Sequence, residues 1–280
     1  MKEIRTLEWL SECSRRRLLE IIFRARAGHT GGDLSCLNIL TALYFHILRI
    51  DPARLDDPDR DRFILSKGHC VEALFVTLEA KGILPKEMLD TLGELGSPLG
   101  GHPTANVPGI EVNTGALGHG LSMGVGMALA ARMDGRAYRT FVLMGDGEQD
   151  EGSIYEAAMA ARQYKLGNLI AIIDRNHLQI SGDTEDVMAL DDLGAKWTAF
   201  GWEVTEMDGD EMADIVRTLD AIDSGTDLPH LLLARTTKGK GVSYMENAVK
   251  WHHGVPSAEQ YQQALAEMDA RITKMKEELK

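Results

Sequence analysis

Between residues 168 and 174 the chain reads Asn-Leu-Ile-Ala-Ile-Ile-Asp, an unbroken apolar run closed at both ends by polar side chains. A strand with one wet face alternates apolar and polar residues; a continuous run of this length marks a strand covered on both faces, as inside a parallel sheet. That condition constrains everything else, because helices must both cover the sheet and connect its strands. Arg62–Ser66 and Tyr138–Met144 read as further strands, joined later by Trp202–Met207 and His230–Ala234. Helical patterns lie between them, to about Lys81, over about Ser153–Tyr164 and over roughly Glu211–Ile222. Before residue 60 the chain is helical, first in an amphipathic stretch and then in a segment for which Asp33 offers an N-cap. The stretch 93–120 is too dense in glycine and proline for regular structure, and a long loop of that kind is often functional. A last amphipathic helix runs from Ser257 to Lys280. The expected fold class is α/β, a parallel sheet with helices on both faces. No repeat, low-complexity tract or linker interrupts it, so residues 1–280 are expected to form one domain. Strand order is not legible in the sequence.

Asp and Glu number 43 against 30 Lys and Arg, a net charge of −13. So acidic a surface repels a phosphate backbone, which excludes general nucleic-acid binding. Any anionic ligand must be held locally, by a metal or by backbone N–H groups. Cys13, Cys36 and Cys70 lie far apart without a CxxC, as suits a reducing compartment. No stretch resembles a signal peptide and no apolar run is long enough to cross a bilayer, so a cytoplasmic protein without membrane contact is expected.

In open α/β sheets ligands bind beyond the carboxyl ends of the strands. There the sequence places Gly145-Asp146-Gly147 after one strand and, after a spacer of 28 residues, Asn176 after the next. The glycines let a diphosphate approach the backbone and expose N–H groups to it. Asp146 and Asn176 offer oxygen ligands to a hard cation such as Mg²⁺, which would cancel the diphosphate charge. Gly-Asp-Gly alone reads better as a turn, and Asn176 alone as a turn-former; the pair at adjacent strand ends is the stronger signal. Five of the nine histidines touch a glycine, at Gly28-His29, Gly68-His69, Gly101-His102, Gly118-His119-Gly120 and His253-Gly254. Rings carried on such segments are expected to project into one cavity, where imidazole can bind anionic oxygen or pass protons.

The Gly-Asp-Gly…Asn pair resembles the signature of thiamine-diphosphate enzymes, and the histidine segments resemble those of transketolase. Ala27-Gly-His29-Thr-Gly-Gly is similar to its first histidine motif, Leu65-Ser-Lys-Gly-His69 to its LSxGH, and Gly96-Ser-Pro-Leu-Gly-Gly-His102-Pro to its GHPE-type segment. Thr114-Gly-Ala-Leu-Gly-His119-Gly-Leu-Ser is similar to TGPLGQGxS, and His253-Gly254-Val-Pro256 to HGxPL. The motifs follow family order over nearly the whole chain. Thr30 stands where the family has proline, His119 where it has glutamine, and Pro-Thr-Ala follows His102 where an acid is usual.

The resemblance implies the diphosphate-binding (PP) domain of the thiamine-diphosphate fold. The pyrimidine-binding and C-terminal domains are absent and are expected on a partner chain, as in transketolases made of two subunits. The chain begins with Met and closes on a polar helix, as an intact subunit would. By resemblance Mg²⁺ is held by Asp146, Asn176 and the Leu178 carbonyl. His69, His253 and the Gly147 backbone touch the diphosphate, and Gly115 and Leu117 line the thiamine. Glu151 meets its counterpart in a second copy, which implies a dimer of heterodimers. His29 and His253 assist proton transfers at substrate oxygens, and His102 holds the donor's C1 hydroxyl. The implied reaction moves a two-carbon ketol unit from a ketose, as free sugar or sugar phosphate, to an aldose. The glutamate that activates the cofactor belongs to the partner, so this chain alone is expected to be inert. Three other readings remain: a non-catalytic cofactor-binding scaffold, part of a deoxyxylulose-phosphate-synthase-like enzyme, and a haloacid-dehalogenase-type phosphatase. The last lacks a DxD nucleophile at the end of an earlier strand.

Overall fold

The structure is a computed structural model that describes residues 2–279. The chain opens with two helices, α1 (Lys2–Ala25) and α2 (Thr30–Ala42), the second running on through one π turn. Then come β1 (Arg62–Leu65), α3 (Val71–Ala80) and the short α4 (Lys86–Leu89). Residues 90–119 form no helix or strand and lead into α5 (Gly120–Met133). Next are β2 (Thr140–Gly145), α6 (Gly152–Gln163), β3 (Leu169–Arg175) and a small hairpin of β4 (Leu178–Gln179) and β5 (Gly182–Asp183). The chain ends with α7 (Thr184–Val187), α8 (Leu193–Ala199), β6 (Glu203–Asp208), α9 (Met212–Asp220), β7 (His230–Arg235) and α10 (Ala258–Glu278).

Five strands form one parallel sheet in the order β1-β2-β3-β7-β6. The long apolar run forms its central strand, β3, with every residue buried. Successive side chains of a strand point to opposite faces, and here they enter two separate cores. Ile170 and Ile172 join Phe141, Leu143 and Leu232 against α1, α2, α3 and α9. Leu169, Ala171 and Ile173 join Val142, Met144 and Leu231 against α5, α6 and α8. Each buried Leu or Ile contributes about 1.5–3 kcal/mol of transfer free energy. β6 lies at the edge and exposes Glu203, Thr205 and Glu206, charges and polar groups that keep an open edge from pairing with another chain.

Two expectations change. The strand expected from Trp202 begins at Glu203 instead. Trp202 turns into the core, its indole N–H donating to the Ala158 carbonyl at 3.0 Å and its ring edge-on to Trp197. Asp33 is no N-cap: α2 starts at Thr30 with His29 at its cap position. The chain already turns into the helix after Gly28, so Asp33 falls in the first helical turn, buried, where its Oδ1 accepts from the Ala73 N–H at 2.9 Å. The C-terminal helix is capped by Ser257 and Gln260, which form a reciprocal capping box.

Candidate active site

A parallel sheet brings all its carboxyl ends to one edge, and the register aligns them: Gly145 pairs with Asp174, and Arg175 with Arg235. The loops leaving β1, β2, β3 and β7 carry Lys67, His69, Asp146, Asn176 and Lys238 to a single cavity of about 210 Å³. The long loop before α5 adds Gly115 and Leu117 to its wall. Of the residues singled out in the sequence, His29, His69, Gly115, Leu117, Asp146, Gly147, Asn176 and Leu178 all line this cavity.

Four of the five glycine-flanked histidines converge. The His29 ring lies 5.2 Å from His69, 6.4 Å from His102 and 4.8 Å from His253, centre to centre. His29 and the His253 segment are joined by a backbone bridge between His29 and Gly254. The Thr30 hydroxyl reinforces it by donating to the Gly254 carbonyl at 2.6 Å, a bond that the family's proline could not make. Gly115 has φ +142°, and a Cβ there would come within 2.7 Å of the His102 ring. Only glycine lets the loop lie against that imidazole. His102 and His253 are exposed in this chain and, unlike His29 and His69, do not line the cavity. The fifth histidine corrects the expectation. His119 is exposed at the N-cap of α5, with Nδ1 3.1 Å from the Leu117 carbonyl. His252 takes the fifth place, its ring 5.9 Å from His29 and stacked at 5.5 Å on His69.

The oxygen set is held by its own loops. Asp146 is buried; Oδ1 accepts from the Gly147 N–H at 2.8 Å and Oδ2 from the His177 N–H at 2.6 Å. Burial and then the nearby Asp174 push its carboxyl above the ordinary range. Asn176 Oδ1 accepts from the Leu178 N–H at 3.1 Å, and the Leu178 carbonyl accepts from Lys238 Nζ at 2.7 Å. The two glycines beside Asp146 differ from expectation. The Gly145 N–H donates to Glu148 Oε2 at 3.0 Å, so it is not free for a ligand. Gly147 makes room for the hairpin, since a Cβ there would meet Gln179 Oε1 at 2.9 Å. Glu151 is the exposed N-cap residue of α6 and packs against Gly118, whose φ is +83°.

Several site residues are legible only in the structure. Glu148 is fully enclosed and ties three segments together, accepting from the Ser66 hydroxyl, from Gly145 N–H and from Gly118 N–H at 2.9 Å. Lys67 and Asp174 form a buried ion pair, completed by Ser35 Oγ at 2.6 Å and the Thr236 hydroxyl. Burial opposes the charge on both, yet each partner outweighs it: Lys67 is held well above and Asp174 below its usual value. Lys238 is buried beside His252, with Nζ 2.9 Å from Nδ1. The one available signal was position: Lys67 and Lys238 each follow an apolar strand by two or three residues.

The family description "Transketolase, thiamine diphosphate binding domain" matches residues 10–270. The chain belongs to the transketolase family. A subunit of the apulose-4-phosphate transketolase of Phocaeicola vulgatus is 66% identical over 276 residues, 99% of this chain and 98% of that protein. The 6-deoxy-6-sulfo-D-fructose transketolase subunit SqwG of Clostridium sp. is 42% identical over 91% of this chain and 93% of its own length. Among solved structures, transketolase from Leishmania mexicana superposes with a TM-score of 0.85 at 27% identity. Pichia stipitis transketolase in complex with sedoheptulose-7-phosphate does so at 0.86 and 29%. They cover 98% and 99% of this chain, whereas the chain spans only 45% of each of them. Fold and family together establish a thiamine-diphosphate-binding subunit of transketolase type.

The residues present fit that cofactor and a hard cation. Carboxylate, amide and carbonyl oxygens make an all-oxygen donor set of the kind Mg²⁺ prefers. Cationic groups already rest on two of them, the Arg175 guanidinium on Asp146 Oδ2 at 3.4 Å and the Lys238 ammonium on the Leu178 carbonyl. Gln179 lines the cavity, and its amide also bears on the Asp150 carboxyl, whose charge it favours.

Proposed function

We propose that this chain is the diphosphate-binding half of a two-chain transketolase, moving a two-carbon ketol unit from a ketose to an aldose together with a partner that carries the pyrimidine-binding and C-terminal domains. The observation that carries the reading is the meeting of an oxygen donor set and a histidine cluster in one cavity at the carboxyl edge of the sheet. Thiamine diphosphate, when bound, supplies the carbon nucleophile that opens the bond next to a ketose carbonyl. Asp146, Asn176 and the Leu178 carbonyl hold Mg²⁺. Lys67 and Lys238 bring their amino groups to the diphosphate side, and His69, His253 and the Gly147 backbone meet its oxygens. Gly115 and Leu117 form the wall along the thiamine. His29 and His253, 4.8 Å apart, accept and return protons at substrate oxygens, while the exposed His102 holds the C1 hydroxyl. Glu151, exposed beside Gly118, faces a second copy in a dimer of heterodimers.

For the donor we take a ketose bearing a terminal anion. The relatives are named for apulose-4-phosphate and 6-deoxy-6-sulfo-D-fructose, and the 66% identity makes the former the first substrate to try. Three free thiols fit a reducing cytoplasm. Calorimetry with thiamine diphosphate should show binding that weakens at least about tenfold on chelation of Mg²⁺ and on Asp146→Ala, a loss of about 1.4 kcal/mol or more. With the co-purified partner, apulose-4-phosphate and an acceptor aldehyde should turn over, and this chain alone should not. Metal-independent binding, unchanged in Asp146→Ala, would remove the reading; turnover with pyruvate as donor would favour the synthase-like alternative.

A further inference from the structure

Arg175 is the last residue of β3 and stands immediately before Asn176. It is 7% exposed, and its guanidinium meets two carboxylates at once. Nη1 lies 3.4 Å from Asp146 Oδ2, within reach of charge attraction and at the long end for a hydrogen bond. Nη1 also donates to the Thr184 hydroxyl at 2.6 Å, and Nη2 donates to Glu185 Oε1 at 2.7 Å. Glu185 extends the connection, because its two oxygens accept from the Leu190 N–H at 3.3 Å and the Asp191 N–H at 3.0 Å. A backbone route runs beside this one. The His177 N–H donates to Asp146 Oδ2 at 2.6 Å, and the His177 carbonyl accepts from the Thr184 N–H at 2.9 Å. The stretch 184–191 is thus tied to the carboxylate that heads the oxygen donor set.

We propose that Arg175 is a positioning residue that couples divalent-cation binding at Asp146 to how firmly the stretch 184–191 is held, by dividing its charge between Asp146 and Glu185. The inference rests on the reading of Asp146 as a metal ligand. Asp146 is buried, and among the described residues Arg175 is the cation that pairs with it. A divalent cation on the carboxylate takes over that role and repels the guanidinium. Arg175 then belongs to Glu185; their pair tightens, and the carboxylate that holds the Leu190 and Asp191 amides is fixed more firmly. Linkage makes the effect reciprocal. By neutralising Arg175, Glu185 makes the donor set more favourable to a cation, although it is not one of the donors. Lysine could not replace this arrangement, because only the planar fork of arginine reaches Asp146, Thr184 and Glu185 together.

The test uses the full chain with Mn²⁺ as the cation and inorganic diphosphate to complete its coordination. Calorimetry should show Mn²⁺ binding about fivefold weaker in E185Q than in wild type, at the low end for coupled sites because the Glu185 side chain is 38% exposed. In an R175Q background E185Q should change nothing further, since its effect passes through the guanidinium. D186N removes the same charge from the exposed neighbouring residue and should leave the affinity near wild type. Hydrogen exchange reads the other direction: protection of the Leu190 and Asp191 amides should rise on cation binding in wild type and not in E185Q. Cation binding that Asp146→Ala leaves unchanged removes the metal reading and this inference with it. Binding that Asp146→Ala abolishes, yet equal in wild type and E185Q, overturns the coupling alone, as does a loss in D186N as large as that in E185Q. Should R175Q fail to fold, the comparison of E185Q with D186N and the exchange at the two amides still decide.

Discussion

His29 and His252 keep their rings neutral at pH 7. Burial, then neighbouring histidines and lysines, lowers His29 to about 4; burial, then Lys238, lowers His252 to about 3. Burial and Lys67 hold His69 well below its usual value as well. These rings are therefore bases and hydrogen-bond partners rather than cations; of the two lysines, Lys67 is paired with Asp174, and burial followed by Lys67 pushes Lys238 below its usual value. The sign of the pH effect follows. An unfolded histidine takes up its proton near 6.5, and the folded rings refuse it until about 4 and about 3. Below pH 6.5 the unfolded state thus binds more protons, so stability is complete above that value and is lost as pH falls through the folded values. Urea denaturation of the chain should show falling stability from pH 7 to pH 4, with a shallower slope in His252→Asn. Equal slopes would mean that the ring is solvated.

Helix α5 shows how packing decides what helix propensity cannot. Gly124 and Gly126 lie two residues apart in the same helix, and by propensity alone alanine at either site should gain about 1 kcal/mol. Gly124 faces the sheet, where a Cβ would stand 2.5 Å from Val142 Cγ2. Overpacking of that kind costs about 1–3 kcal/mol, so the clash outweighs the helical gain. Gly126 has nothing within 4 Å of a Cβ. Gly126→Ala should therefore stabilise the isolated chain and Gly124→Ala destabilise it, opposite shifts that thermal melting resolves. Equal shifts would place α5 in a different rotation about its axis.

At the scale of the whole molecule, the Lys67–Asp174 pair is where distant parts of the chain meet. Ser35 comes from α2, Lys67 from the end of β1, Asp174 from β3 and Thr236 from beyond β7, and all bond around one buried carboxylate. A buried pair of this kind is weak evidence of net stability, because desolvation offsets the Coulomb gain. Breaking it is another matter. Lys67→Met leaves the Asp174 charge enclosed without its cation and should cost about 3–5 kcal/mol, read by urea denaturation at neutral pH. A cost near zero would show that Asp174 takes up a proton or water in its place.

Local pattern carried much of the fold. Four apolar runs became parallel strands, because a strand buried on both faces must be apolar along its length, and that demand is written in consecutive residues; the fifth strand, β6, lies at the edge and mixes apolar with charged residues. Strand ends were legible for the same reason, which is how Asp146 and Asn176 could be placed together; Leu178 followed from the family resemblance, and all three line the cavity. Glycine neighbours picked out four of the five clustered histidines, since glycine marks where backbone comes close. What the sequence could not show depends on which side chains meet across long stretches of chain. The strand order, the exchange of His119 for His252, the Lys238 contact with the Leu178 carbonyl and the descent of Asp33 from cap to buried acid are of this kind. Local preference reports the cost of a backbone conformation and the face that must be dry; partners are chosen only when the packed chain decides which buried charges and donors have no water left to satisfy them.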